Sequence, residues 1–209
     1  MLRHCPDVES LHLPMELGHI LSPTTTSTLA NCDGKEPSQS PAIHFPKLTQ
    51  LTLTLQSGAT AAIDDCWATF LEKHDTLEKL EWQPVGLSVN VKPDALPNLK
   101  ELKTNSILID GLSATEQSVA SLRKITCLTI AFAAWEDSAM EVVLERLKLV
   151  LDSQALTYLY VADPAVNFGM NRPEPVVKSW IVHLANDYPN LSYLSLPEWD
   201  MDVVRLSLL

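Results

Sequence analysis

Glycine is scarce, with six in 209 residues and no two close together. That removes the glycine-rich phosphate loop, the dinucleotide fingerprint and the G-x-S-x-G nucleophile elbow. H-E-x-x-H is also absent, and the six histidines (His4, His12, His19, His44, His74 and His183) stand apart from one another. The four cysteines (Cys5, Cys32, Cys66 and Cys127) show no C-x-x-C spacing and have no histidine pair nearby. The usual zinc and redox signatures are therefore missing, and the pattern fits reduced thiols in the cytoplasm or nucleus. No uninterrupted apolar run reaches about 18 residues, so no membrane span is expected. The opening Met1-Leu2-Arg3-His4-Cys5-Pro6 lacks the apolar core of a secretory signal. Positive charge is short as well: 15 Lys and Arg face 26 Asp and Glu, a formal net charge of −11. Such a chain is a poor match for nucleic acid or an anionic membrane, both polyanions, and a better one for neutral or basic proteins. Asp64-Asp65 is the one paired carboxylate of note, and adjacent helical residues point to different sides, so it reads as helix-start charge. The expectation is a chain that is not an enzyme and holds no cofactor and no metal.

Internal repetition is what the sequence has in abundance. Seven segments place a large aliphatic residue, two free positions, a leucine, one free position and a further large residue in that order. They are Val8-Leu11-Leu13, Leu48-Leu51-Leu53, Leu77-Leu80-Trp82, Leu99-Leu102-Thr104, Ile125-Leu128-Ile130, Leu156-Leu159-Val161 and Leu191-Leu194-Leu196. The middle residue is always leucine, and only Thr104 interrupts the apolar set. Four segments carry proline two residues ahead (Pro6, Pro46, Pro97 and Pro189), which ends a helix and begins an extended run. Self-similarity of this kind decides the architecture first. It predicts a single α/β domain over 1–209, an irregular leucine-rich-repeat solenoid of the ribonuclease-inhibitor type. Its parallel strands would line the concave face, with helices and loops on the convex face.

The middle leucines lie 40, 29, 22, 26, 31 and 35 residues apart, so each strand returns through a connection of its own length. Ile63, Trp67, Phe70 and Leu71 share a helical face across 61–74. Ser113 and Glu116 form a capping box ahead of Val119 and Leu122. Asp137 can cap a helix to about Leu151 with Met140, Val143, Leu144, Leu147 and Leu151 inward, and Pro175 suits the first turn of one burying Val177, Trp180, Ile181 and Leu184. Residues 14–44 are polar and turn-rich and read as a flexible loop insertion. Residues 83–97 are too short and too rich in proline, glycine and valine for a full helix. The first repeat has no helix before it, which suggests a start cut from something longer, because terminal repeats need polar caps. Val203–Leu208 loosely repeats the pattern, as a capping strand or an unfinished repeat. Asn190-Leu191-Ser192 matches a glycosylation sequon by chance, inside a repeat where burial would block it.

The segments Cys5-Pro6-Asp7-Val8-Glu9-Ser10-Leu11-His12-Leu13, Leu96-Pro97-Asn98-Leu99-Lys100-Glu101-Leu102 and Tyr188-Pro189-Asn190-Leu191-Ser192-Tyr193-Leu194-Ser195-Leu196 resemble the repeats of fungal F-box/leucine-rich-repeat proteins. In that family an N-terminal F-box docks on a ubiquitin-ligase adaptor while the repeats hold the protein to be ubiquitinated. The resemblance implies the substrate-holding half. The Asn or Cys that regular repeats place eight positions after the first apolar residue is absent; those positions hold Glu16, Gln56, Val85, Ile107, Ala133, Pro164 and Trp199. No complete F-box is found. Leu13-Pro14-Met15-Glu16-Leu17 mimics its opening, but a threonine-rich run follows where helices belong. Adaptor binding would need an F-box upstream of Met1.

Chemistry is left to the face beside the inward leucines. Lys79 aligns with Glu101 and Glu81 with Lys103 on neighbouring strands, pairs that fix register. Tyr158 and Tyr193 occupy the same repeat position, and with Tyr160 they form a partner-binding cluster of large contact area at low entropic cost. The alternative is an aromatic edge covered by the segment around Trp199. Trp67, Trp82 and Trp180 are expected in the core. The function expected is a protein-protein interaction module, the recognition part of an F-box-type receptor. A GTPase regulator would need a rim Arg or Asn, for which Arg172 beside Asn171 is the candidate. An immune-receptor fragment or a truncated gene product are the remaining readings.

Overall fold

The computed structural model describes residues 6–18, 43–55, 61–92, 94–113, 123–131, 137–162 and 174–196. Its strands are β1 (Ser10–Pro14), β2 (Gln50–Thr54), β3 (Lys79–Glu81), β4 (Glu101–Asn105), β5 (Cys127–Ala131), β6 (Tyr158–Ala162) and β7 (Tyr193–Ser195). They form one seven-stranded sheet in chain order, and every neighbouring pair is parallel. The middle leucines stand in register from Leu11 through Leu51, Leu80, Leu102, Leu128 and Leu159 to Leu194. The described helices are α1 (Ala61–Leu71), α2 (Ser106–Ser113), α3 (Asp137–Val150) and α4 (Glu174–Asp187), with one 3-10 turn at Met15–Leu17. The chain is thus an α/β protein with a single parallel sheet. Among the described residues no helix is long and apolar enough to cross a membrane.

Side chains alternate across a strand, so residues two apart share a face. Leu51 and Leu53, Leu102 and Thr104, Leu128 and Ile130, and Leu159 and Val161 are all buried on one face. The first apolar residues of the repeats join them, from Leu48 and Leu77 to Leu156 and Leu191. One contiguous core results, closed by Trp67, Phe70 and Leu71 of α1, Leu108, Ile109 and Leu112 of α2, Val143, Leu144 and Leu147 of α3, and Trp180 and Leu184 of α4. Trp67, Trp82 and Trp180 all lie in it, as the sequence predicts. Thr104, the lone polar member of the repeat set, is fully buried, and its hydroxyl has no hydrogen-bond partner among the described residues.

Two polar ladders tie the repeats together in place of the missing Asn or Cys. The carbonyls of Glu9, Thr49, Glu78, Lys100, Thr126 and Thr157 each accept two backbone N–H groups from the next repeat, at 2.8–3.1 Å. The residue just before the strand often adds a side chain to that carbonyl. Thr49 Oγ1 donates to Glu9, Thr126 to Lys100, Thr157 to Thr126 and Ser192 to Thr157, at 3.0–3.2 Å. Where the same position is charged, Lys100 and Glu78 pair at 2.7 Å. A second ladder uses the asparagine after proline: Asn98 Nδ2 donates to the Asp75 carbonyl and Asn190 Nδ2 to that of Gln154, both at 2.8 Å. Asn190 is exposed, not buried as its repeat position implies, and its amide is engaged in this ladder.

Helix α2 departs from the sequence reading. Ser113 is its last residue, with Oγ donating to the Asp110 carbonyl at 2.9 Å, and the expected capping box with Glu116 ahead of Val119 and Leu122 lies outside the described residues. The helix starts directly after β4, and Gly111 lies so close to the Val89 backbone that a Cβ would clash with it. Helices α1 and α3 follow the expected faces, with His74 in the turn after α1 and the Met140 side chain outside the described residues. In α4 Ile181 is half-buried beside buried Trp180 and Leu184, and Val177 is outside the described side chains. The described part of 83–97 contains no helix or strand. Of the expected 14–44 insertion, Met15–Leu17 packs under α1, where Trp67 Nε1 donates to the Met15 carbonyl at 2.7 Å. Residues 19–42, Asn171, Arg172, Trp199 and Val203–Leu208 lie outside the described residues.

Candidate functional site

Residues between the core positions point to the other face of the sheet, away from the helices. Strand register arranges them in rows. One runs Ser10, Gln50, Lys79, Glu101, Cys127, Tyr158, Tyr193, and the next His12, Thr52, Glu81, Lys103, Thr129, Tyr160, Ser195. Every member of both rows is half-buried or exposed. A third row begins at Pro14 and Thr54 and passes through Asn105, which is buried and donates from Nδ2 to the Pro84 carbonyl at 2.8 Å. Asn105 therefore braces the chain after β3 and offers nothing to a partner, unlike its place in the sequence pattern.

The charged residues behave as the alignment predicts. Lys79 Nζ lies 2.7 Å from Glu101, and Lys103 Nζ lies 2.5 Å from Glu81, so four charges cancel across β3 and β4. Each side chain remains 38–50% exposed, where solvent weakens such pairs. Over β2 to β5 the face sinks into an open trough of about 280 Å³, lined by Thr52, the four charged residues, Cys127 and Thr129 among others.

The three tyrosines stand beside that trough. Tyr158 and Tyr193 stack with ring centroids 4.3 Å apart and planes 3° from parallel. A parallel pair of strands holds equivalent residues at about this spacing, so the stack follows from the repeat itself. Tyr160, two residues on, is 37% exposed. All three sequence-predicted residues are thus brought together on one face by adjacent strands. Burial, and next the Tyr193 phenol, push the Tyr158 phenol above its usual range, so it stays neutral. Cys127 borders Tyr158 in register, and its thiol is pushed up by burial and then by Glu101, so it is a poor nucleophile.

Other titratable groups that look functional are structural. Asp64 is fully buried, and its Oδ2 accepts the Val85 and Gly86 N–H groups at 2.9 and 2.7 Å, pinning the irregular stretch after β3. Burial raises its carboxyl while those amides and the Trp82 indole pull it back. His74 is also fully buried, stacked on Phe70 at 4.0 Å. Its Nδ1 lies 2.7 Å from the Phe70 carbonyl and its Nε2 accepts the Phe45 N–H at 3.0 Å. That fixes a neutral ring with the proton on Nδ1, and burial lowers its pKa accordingly. The sequence signal for both is burial on a helical period: Asp64 lies three residues before Trp67, and His74 four after Phe70.

On the helix side, Glu145 and Lys148 of α3 meet His183 and Asp187 of α4. Lys148 Nζ lies 3.0 and 3.1 Å from the two carboxylates, and His183 Nε2 3.2 and 3.0 Å. These contacts tie the two helices together. No group of three or more His, Cys, Asp or Glu among the described residues could hold a metal ion. Compared with protein-family models, curated proteins and solved structures, the chain matches none of them.

Proposed function

We propose that this chain is a non-catalytic protein-binding module, an irregular leucine-rich-repeat solenoid that holds a partner on the open face of its sheet. The observation that carries the reading is the tyrosine cluster of β6 and β7, with Tyr160 exposed and Tyr158 and Tyr193 half-buried, set beside an open trough. Aromatic side chains on rigid strands supply large contact area with little further ordering, and such residues dominate binding energy at protein interfaces. The finer reading, substrate recognition in an F-box-type ubiquitin-ligase receptor, is supported by the repeat segments around Pro6, Pro97 and Pro189. It requires an F-box encoded upstream of Met1, and a full transcript without one overturns it.

The test of the module is parallel affinity capture with the native chain and a Tyr158→Ala/Tyr160→Ala/Tyr193→Ala variant. The variant is expected to fold, since none of the three is core, and to bind the captured partner more weakly by over about 1 kcal/mol in titration calorimetry. Equal affinity of the two proteins sinks the site.

A further inference from the structure

The tyrosine stack also says what it is built to hold. Because Tyr158 and Tyr193 lie face to face, one face of the Tyr158 ring is covered by its neighbour on β7. The opposite face looks over β5, where Cys127 and Thr129 are the register neighbours of Tyr158 and Tyr160. Across β5 stands Glu101 of β4, in register with Cys127 and lining the trough. Its Oε1 takes the Lys79 ammonium, and a carboxylate has further acceptor positions. Two strand spacings separate β4 from β6, about 9.6 Å. A cation within about 6 Å of a ring centroid and about 3 Å of a carboxylate oxygen fills that span.

We propose that the furrow over β5 is a seat for a cationic side chain, lysine or arginine, carried by an extended basic segment of a protein partner. Tyr158 supplies the π face with exposed Tyr160 beside it, Glu101 shares its carboxylate between Lys79 and the incoming cation, and Cys127 is a neutral floor. Charge complementarity favours this occupant. The formal charge of −11 draws basic chains towards the molecule, while the four trough charges cancel and leave the rings as the distinguishing feature of the face. An acidic segment would meet the same rings with their repulsive faces and the whole field against it. The inference deepens the reading of the tyrosine face as a protein-binding site and rests on it.

Cys127 is the reporter. The full chain is alkylated with neutral iodoacetamide at alkaline pH, where the raised Cys127 thiol ionises, and modification there is followed by peptide mapping, with and without a tetra-arginine peptide or its isosteric citrulline counterpart. Protection follows 1 + [L]/Kd, so the rate falls about threefold at twice the Kd, within a titration to about 5 mM. The arginine peptide is expected to protect and the citrulline peptide not, with protection fading in high salt. Glu101→Gln and Tyr158→Ala should each abolish the protection ratio, which is read in place of the absolute rate because both changes alter the thiol. Equal protection by the two peptides, or none by 5 mM, overturns the cation seat. If the tyrosine variant loses its captured partner while Glu101→Gln keeps it at full affinity, the binding face stands and the cationic chemistry falls. If the tyrosine variant keeps its partner, the face itself is wrong.

Discussion

The two faces of one sheet are made of the same strands and obey opposite rules. On the packed face leucine recurs in every repeat, and the described members from Leu48 to Leu191 are buried almost without remainder. The open face has no residue common to all the repeats. Its rows pass from Ser10 and His12 through four cancelling charges to short Cys127 and Thr129, then to three tyrosines. A parallel sheet with uniform register imposes composition on the side that must exclude water and position alone on the other. Side chains on the free face can therefore vary without disturbing the fold.

The sharpest way to break the contrast is to cut the packed face. Leu128, fully buried at the centre of the sheet, should cost about 3 kcal/mol of stability as alanine, read from urea unfolding, because the rigid neighbours cannot close the hole. Next is the hinge between helix and sheet at His74. His74→Ala should destabilise by about 2 kcal/mol, leaving the Phe45 N–H without its acceptor and Phe70 without its stack. Its pH signature is specific. The folded pKa lies below the ordinary value of 6.5, so the unfolded chain takes up the proton first. Stability is then full above about pH 6.5 and falls as the pH drops through the interval below it, down to the lowered folded value. Denaturant midpoints at a series of pH values should show this loss in the native chain, and the His74→Ala variant should lack that component.

Smaller effects refine the boundary between the faces. Thr104→Val removes a buried hydroxyl without a partner among the described residues, and should raise stability by about 1 kcal/mol in thermal unfolding. A loss would mean that the hydroxyl is satisfied. On the open face, a double-mutant cycle between Lys79 and Glu101 should give a coupling of roughly 0.2–1 kcal/mol, shrinking with salt. The triple tyrosine variant completes the comparison, weakening binding while leaving urea unfolding nearly unchanged.

Legibility in the sequence follows the same division. The invariant middle leucine made strand positions and register readable, and through register the Lys79–Glu101, Glu81–Lys103 and Tyr158–Tyr193 neighbours. What stayed hidden has no period in common with the strands. Helix α2 follows β4 without a break, so Leu108, Ile109 and Leu112 blend into the strand's own apolar pattern. Asn105 continues an outward row but turns to the Pro84 carbonyl, because the irregular chain after β3 needs a donor there. The threonine rungs escaped notice because their position lies one residue ahead of the strand, outside the repeated triplet.

The doubled hydrogen bonds at the start of each strand carry a consequence for how such a chain can change. Each repeat is clamped to the last at one fixed point, while the spacing between middle leucines runs from 22 to 40 residues. Insertions and deletions in the connections are therefore absorbed on the helix side, and the row of side chains on the open face does not shift. Connection length and the make-up of the open face thus become separately adjustable traits.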